Sequence, residues 1–328
     1  MPTPALAVSV RGFGDTGWSA TKTSGAPGNS SFALGQLDFF PTARISDEVS
    51  FLAEIVIEAD QSNEPKVELE RLLLRYAPLD SFAVSVGRYH TAIGYYNTAY
   101  HHSSLMQTTI GRPLLFAFED EGGILPVHDV GVSISGSVTR LGARWEYTTE
   151  IGNGRASSPD GSEPVQGSLD DNAAKAVGFA LSARPIRAKN ASIGVSVRRD
   201  RLTPAGADAV RELLIGSSFV YQGSRVEFLA EGVVLRHARK GGETLTSKGG
   251  YIQASYRSGL LTPYARFEFI DPDDQDPYFA HASWKRGPLA GLRWDVANMA
   301  ALKVEITRHR FVQGETANTV QANLSFGF

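Results

Sequence analysis

Val320-Gln321-Ala322-Asn323-Leu324-Ser325-Phe326-Gly327-Phe328 ends the chain in an unbroken alternation of apolar and polar residues. Successive side chains of a strand point to opposite faces. Val320, Ala322, Leu324, Phe326 and Phe328 therefore share one face, and Gln321, Asn323, Ser325 and Gly327 the other. In a soluble sheet the apolar face would meet a core. Here the pattern reads inside out, with the apolar face in lipid and the polar face on a wet interior. The same alternation elsewhere in the chain decides between the two.

It recurs along the whole length. Strand candidates are 6–21, 32–45, 49–60, 67–77, 82–94, 130–138, 140–151 and 175–186, then 191–201, 211–221, 225–237, 250–257, 261–270, 284–296, 300–312 and 319–328. That is about sixteen, an even number, as in single-chain membrane barrels. Charged residues sit mid-strand on one common face. Arg144, Glu146 and Glu150 oppose Leu141, Ala143, Trp145, Tyr147 and Ile151; Arg266 and Glu268 oppose Ala265, Phe267 and Phe269. Burying so many charges in a core would be prohibitive, so that face needs a solvated lumen. Tight turns at 46–48, 78–81, 187–190, 222–224, 258–260 and 297–298 alternate with longer connections at 22–31, 97–129, 152–174, 203–210 and 271–283. Short turns on one rim and long loops on the other is a membrane-barrel layout. Tyr76, Phe82, Tyr221, Phe228, Tyr256, Phe326 and Phe328 cluster near the short-turn ends, where an interfacial aromatic girdle would lie.

Composition agrees. The 328 residues are 42% hydrophobic, with no run near the roughly 18 apolar residues of a membrane helix. Cysteine is absent, which suits an oxidising compartment. A formal charge of −3 leaves no basic footprint for nucleic acid. Met1-Pro2-Thr3-Pro4 shows no signal peptide, so the barrel reading expects the leader to have been removed.

The longest connection, 97–129, is third on the long-loop rim. It carries Tyr100-His101-His102 early and Phe118-Glu119-Asp120-Glu121-Gly122-Gly123 late. A loop this long is usually functional. About sixteen strands, a long third loop with an acidic-Gly-Gly segment and a terminal Phe together resemble the general porins of Gram-negative outer membranes. The resemblance implies a single closed barrel over 1–328, with loop 97–129 folded into the pore as its constriction. It implies Glu119, Asp120 and Glu121 as the acidic side of that constriction. It implies Leu324, Phe326 and Phe328 as the barrel-closing signal read by the assembly machinery. It further implies an outer-membrane location among lipid and lipopolysaccharide, a homotrimer, and passive diffusion of small hydrophilic solutes and ions.

Strand parity supplies the opposing wall. Leu72, Leu74 and Tyr76 face outward, which places Arg71 and Arg75 in the lumen. An outward set of Ala33, Leu37, Phe39 and Ala43 leaves Gln36, Asp38, Thr42 and Arg44 inside. Arg88 has outward parity, so its place in the basic wall requires a bulge or a position beyond the apolar band. The expected basic set is Arg44, Arg71, Arg75 and Arg88. Other lumen charges look balanced: Arg11, Arg144, Arg198, Arg266, Arg293 and Lys303 against Glu54, Glu58, Glu146, Glu150, Glu227, Glu231, Glu268 and Glu305. Tyr95, Tyr96, Tyr100, His101 and His102 are the candidate solute contacts. Neither a metal nor a cofactor is expected: His101 and His102 point apart if extended, and no carboxylate spacing fixes a metal geometry. No nucleophile-elbow motif surrounds Ser103 or Ser104, so no enzyme is expected. The alternatives are a channel specific for a sugar or an anion, and a soluble all-β binding protein.

Overall fold

The computed structural model describes residues 7–59, 64–100, 104–118, 122–157, 164–165, 169–170, 172–203, 208–279, 282–312 and 314–328. Its strands are β1 (Val8–Thr23), β2 (Asn29–Arg44), β3 (Val49–Ala59), β4 (Pro65–Leu79), β5 (Phe82–His90), β6 (His128–Arg140), β7 (Ala143–Gly152), the two-residue β8 (Ala156–Ser157) and β9 (Pro164–Val165), and β10 (Ala176–Pro185). The second half holds β11 (Ala191–Leu202), β12 (Val210–Gln222), β13 (Val226–Arg239), β14 (Thr244–Tyr256), β15 (Leu261–Asp271), β16 (Lys285–Ala297), β17 (Ala300–Phe311) and β18 (Thr316–Gly327). All but β8 and β9 form one closed antiparallel barrel, each strand beside its neighbour in sequence. The expected class, an all-β closed barrel with short turns on one rim and longer loops on the other, is the observed one.

The terminal strand closes it. β18 pairs with β1 from Phe13↔Gly327 to Thr23↔Ala317, and the Phe328 carbonyl accepts the Gly12 N–H at 2.9 Å. Leu324, Phe326 and Phe328 are on the outer surface, whereas Ser325 and Asn323 are buried inside. The Phe328 ring meets Phe39 edge-on at 6.2 Å and lies over Gly12, where a Cβ would sit 2.2 Å from it. Closure leaves no free strand edge. Every ladder bond is made within the sheet, as a bilayer demands.

Parity holds in most strands and slips where the ladder bulges. On β2 the expectation fails at one place. Gly35 and Gln36 together oppose Asp15, and the Gln36 N–H donates to Asp15 Oδ1 at 3.0 Å. This bulge turns Leu34, not Ala33, to the outside, beside Phe32. A second irregularity leaves Glu70 of β4 extra between Leu69 and Arg71. Leu141, expected on the outer face of β7, sits instead in the turn with φ of 51°. β14 starts at Thr244, ahead of the expected 250, so the connection from β13 is a tight turn on the long-loop rim.

Candidate functional site

The loop between β5 and β6 runs from Thr91 to Val127, and many of its described residues are packed inside the barrel. Gly94 starts the inward path at φ of +73°, where any Cβ would lie 2.5 Å from both Glu231 and Phe116. A single helical turn, α1 (Tyr96–Ala99), follows. Ile93, Tyr96, Leu115, Phe116, Ile124 and Leu125 are buried against inner-wall residues including Leu214, Val233, Tyr251 and Ile270. Tyr96 stacks on Phe116 at 5.7 Å and meets Tyr251 edge-on at 6.0 Å.

Wall charges fasten the loop through its backbone. Carboxylates take the N–H groups: Glu150 from Ala92 at 2.9 Å, Glu231 from Tyr95 at 2.5 Å and Tyr96 at 2.9 Å, Glu305 from Ile110 at 3.3 Å, and Glu268 from Leu114 at 3.0 Å. Cations take the carbonyls. Lys303 Nζ donates to Ser104 O, and to Gln107 O and Thr109 O at 2.8 Å each. Arg293 Nη1 donates to Leu105 O at 2.7 Å and Gln107 O at 2.8 Å. Arg266 reaches Gly111 O at 3.2 Å and Arg112 O at 3.1 Å. Glu227 accepts from the Tyr100 hydroxyl at 3.0 Å and the Thr108 hydroxyl at 3.1 Å. A loop bearing unpaired peptide groups could not lie dry against a wall; charge-assisted bonds to that wall remove the penalty.

This corrects the expected lumen lining. Parity places Glu150, Glu227, Glu231, Glu268, Glu305, Arg266, Arg293 and Lys303 inside, and all of them bond the loop; of these, Glu227 and Arg293 also line a cavity of about 250 Å³. The remaining inner wall, from β1 to β6, carries others of the expected charges. On that wall Arg71 pairs with Glu54 at 2.6 Å, and its guanidinium lies 5.5 Å from the Phe40 ring. Arg75 donates to the Ser85 and Ser135 hydroxyls at 3.4 and 3.3 Å, spanning β4 to β6. Arg11, Arg75 and Arg184 are exposed on the inner face near the short-turn ends of their strands, and pair with no carboxylate among the described residues. Arg144 on the same rim pairs with Glu146 at 3.0 Å.

Two expected basic residues lie elsewhere. Arg44 sits on the short-turn rim, its side chain 72% exposed, and bonds Asp47 and the Ser46 carbonyl of its own turn. It does not stand in the basic wall. Arg88 pairs in register with outward-facing Leu72, and its Nε donates to the carbonyl of the bulged Glu70 at 3.1 Å. The bulge lies on β4 and not on β5, so it does not turn Arg88 into the lumen; Arg88 keeps its outward parity, caps the Glu70 carbonyl and does not join the basic wall. Among the candidate solute contacts, Tyr96 is only 1% exposed, a packing wedge whose hydroxyl donates to Gln107 Oε1. Tyr100 is turned toward Glu227. Tyr95 lines a cavity of about 250 Å³ with Thr98, Glu146, Thr148, Ser182 and Arg184, and Tyr100 lines a second of about 250 Å³ with Met106, Thr108, Glu227 and Arg293, so both border open space whereas Tyr96 does not. Burial pushes the hydroxyls of Tyr95, Tyr96 and Tyr100 above the ordinary tyrosine range, Tyr96 to about 12. Glu119, Asp120, Glu121, His101 and His102 lie outside the described residues.

A closed sixteen-strand barrel narrowed by an inward-folded third loop is the fold of the bacterial outer-membrane porins. No family model and no curated protein matches the sequence. Solved structures match it closely in shape. The anion-selective porin from Comamonas acidovorans aligns over 98% of this chain and 100% of its own, with a TM-score of 0.69 at 13% identity. The outer-membrane channel DcaP of Acinetobacter baumannii covers 98% of this chain and 97% of its own, at 0.68 and 10%. Salmonella typhi OmpF, solved with daunomycin, covers 98% and 97%, at 0.60 and 12%.

Proposed function

We propose that this protein is an outer-membrane porin, a passive channel for small hydrophilic solutes and ions. The observation that carries this reading is the division of the barrel interior. One part of the wall is consumed in fixing loop 91–127, and the rest is left polar and open beside it. A barrel filled only for stability would have no such uncovered half. Glu119, Asp120 and Glu121, on the loop, facing Arg71 and Arg75 remain the proposed charged constriction. A homotrimer inserted by the barrel assembly machinery belongs to the same reading; OmpT of Vibrio cholerae, of similar fold, is described in a trimer form.

A bias toward anions is favoured by one specific feature. The acids on the loop side are engaged by backbone N–H groups, whereas Arg11, Arg75 and Arg184 stay exposed at the short-turn mouth. Unpaired cations in a narrow passage raise the local anion concentration. The test is reconstitution in a planar bilayer. Stepwise, ohmic conductance is expected, with a reversal potential of anionic sign in a salt gradient. A correctly folded barrel that gives no conductance steps would defeat the channel reading.

A further inference from the structure

Two arginines stand directly opposite one another on the lipid-facing surface. Arg201 of β11 and Arg211 of β12 are register partners, and Arg199 lies on the same face, paired with Leu213. The face is outward because it continues Val195, Val197 and Ile215, all exposed on the barrel exterior. Like charges directly opposite in a ladder are destabilising. Nothing described relieves them: Arg199, Arg201, Arg211 and nearby Lys240 pair with no carboxylate among the described residues. The neighbouring acids are mostly committed. Asp200 points inward, accepting the Arg155 N–H at 2.8 Å, and Asp170 holds Lys175. Asp208 is the remaining acid on this patch.

Beneath these cations the surface is hollow. They line a groove of about 1090 Å³ whose apolar part is Val177, Phe179, Val197 and Leu213. That floor runs into the apolar band of β10–β12, and the arginines are the first charged positions above it, on the long-loop rim. Alkyl-compatible groove below and a cluster of guanidinium groups at headgroup height make a two-part surface. Guanidinium forks match phosphate oxygens in bidentate geometry. Cations clustered at a membrane surface attract anionic headgroups.

We propose that Arg199, Arg201 and Arg211 hold the phosphate of an anionic lipid in the long-loop leaflet, with an acyl chain in the groove below. The inference rests on the barrel spanning the outer membrane. The arrangement recurs across the barrel. Arg286 and Arg310 are also register partners on the outer face, with Arg308 beside them above a second groove of about 670 Å³ walled by Ile252, Phe267, Pro288, Ile306 and Val320.

The test uses the folded full-length protein in nonionic detergent, with binding read by native mass spectrometry and by the temperature at which the folded gel band is lost. The probes are bisphosphorylated lipid A, the same lipid stripped of phosphate, and inorganic phosphate alone. The phosphorylated lipid should bind and raise the transition temperature; the stripped lipid should bind at least about tenfold more weakly, since a hydrogen bond to a charged group contributes about 1.5–3 kcal/mol. The combined variant Arg199→Gln, Arg201→Gln, Arg211→Gln should lose the preference and keep its conductance. Arg211→Lys should be intermediate, because charge is kept and the fork is lost. Equal binding of both lipids, an unaffected combined variant, or displacement by millimolar inorganic phosphate would each overturn the proposal, the last in favour of a soluble-anion site. Should the combined variant fail to fold, the comparison of the two lipids on the unmodified protein decides alone. Conductance is a separate readout, so a failed lipid site and a failed channel reading are told apart.

Discussion

Lys303 shows what single residues do in this interior. It is fully buried, and its ammonium donates to loop carbonyls at Ser104, Gln107 and Thr109. Lys303→Met keeps the volume but orphans those carbonyls, at about 1–3 kcal/mol for a buried unsatisfied group. The loop segment 104–109 should loosen, seen as a lower temperature for loss of the folded gel band and noisier single-channel current. Unchanged values for both would mean that the neighbouring Arg293 suffices. The loop tyrosines give a pH signature. The Tyr96 hydroxyl ionises near pH 12 in the folded protein, against about 10 for a free tyrosine. A pKa raised on folding contributes stability that is complete below pH 10 and lost as pH rises through 12, on the order of 3 kcal/mol. Folded barrels should therefore lose stability between pH 10 and 12, and Tyr96→Phe should flatten that fall. An equal alkaline slope in the variant would place the effect elsewhere.

At the scale of elements, the terminal strand is a structural closure whose aromatic end avoids the pore. Phe328 rests on Phe39 and over Gly12, on the outer face. Gly12→Val would put methyls where that ring lies, so assembly should suffer while conduction does not. The check is the yield of heat-modifiable protein in outer membranes beside the conductance of refolded protein; normal yield would refute the seam argument. Strands were the legible part of this chain. Period-two alternation is written residue by residue, so every barrel strand is legible, most within a few positions of its ends; the exception is β14, which starts six residues ahead of the expected 250. What failed was local: the Gly35–Gln36 bulge moved Ala33 inward, because one extra residue inverts every side chain beyond it. The loop anchors were half legible. Parity put Glu231, Glu268, Arg266 and Lys303 inside, yet their partners are backbone N–H and carbonyl groups, which every residue carries and no sequence motif marks. The opposed Arg201 and Arg211 were equally invisible, since cross-strand register is not encoded in either strand alone.

For the whole molecule, selectivity follows from which charges the passage still sees. Loop anchoring engages Glu231, Glu268 and Glu305 with backbone N–H groups and leaves Arg75 with only serine hydroxyls for company. Arg71 is paired with Glu54 at 2.6 Å, whereas Arg75, which also faces inward, stands beside no carboxylate among the described residues. At physiological salt the Debye length is about 8 Å, close to the width of a constricted pore, so only charges at the wall of the narrow region escape screening. Arg75→Gln should shift the reversal potential in a salt gradient toward cations, and Arg71→Gln should shift it the same way, because it leaves Glu54 uncompensated. Neutralising Glu119, Asp120 and Glu121 together should shift it toward anions if that segment faces the passage. All of these shifts should shrink in molar salt. An Arg75→Gln channel with an unchanged reversal potential at low salt would show that the exposed arginines of the short-turn mouth do not set selectivity, and the passage would then have to be sought along the loop's other face.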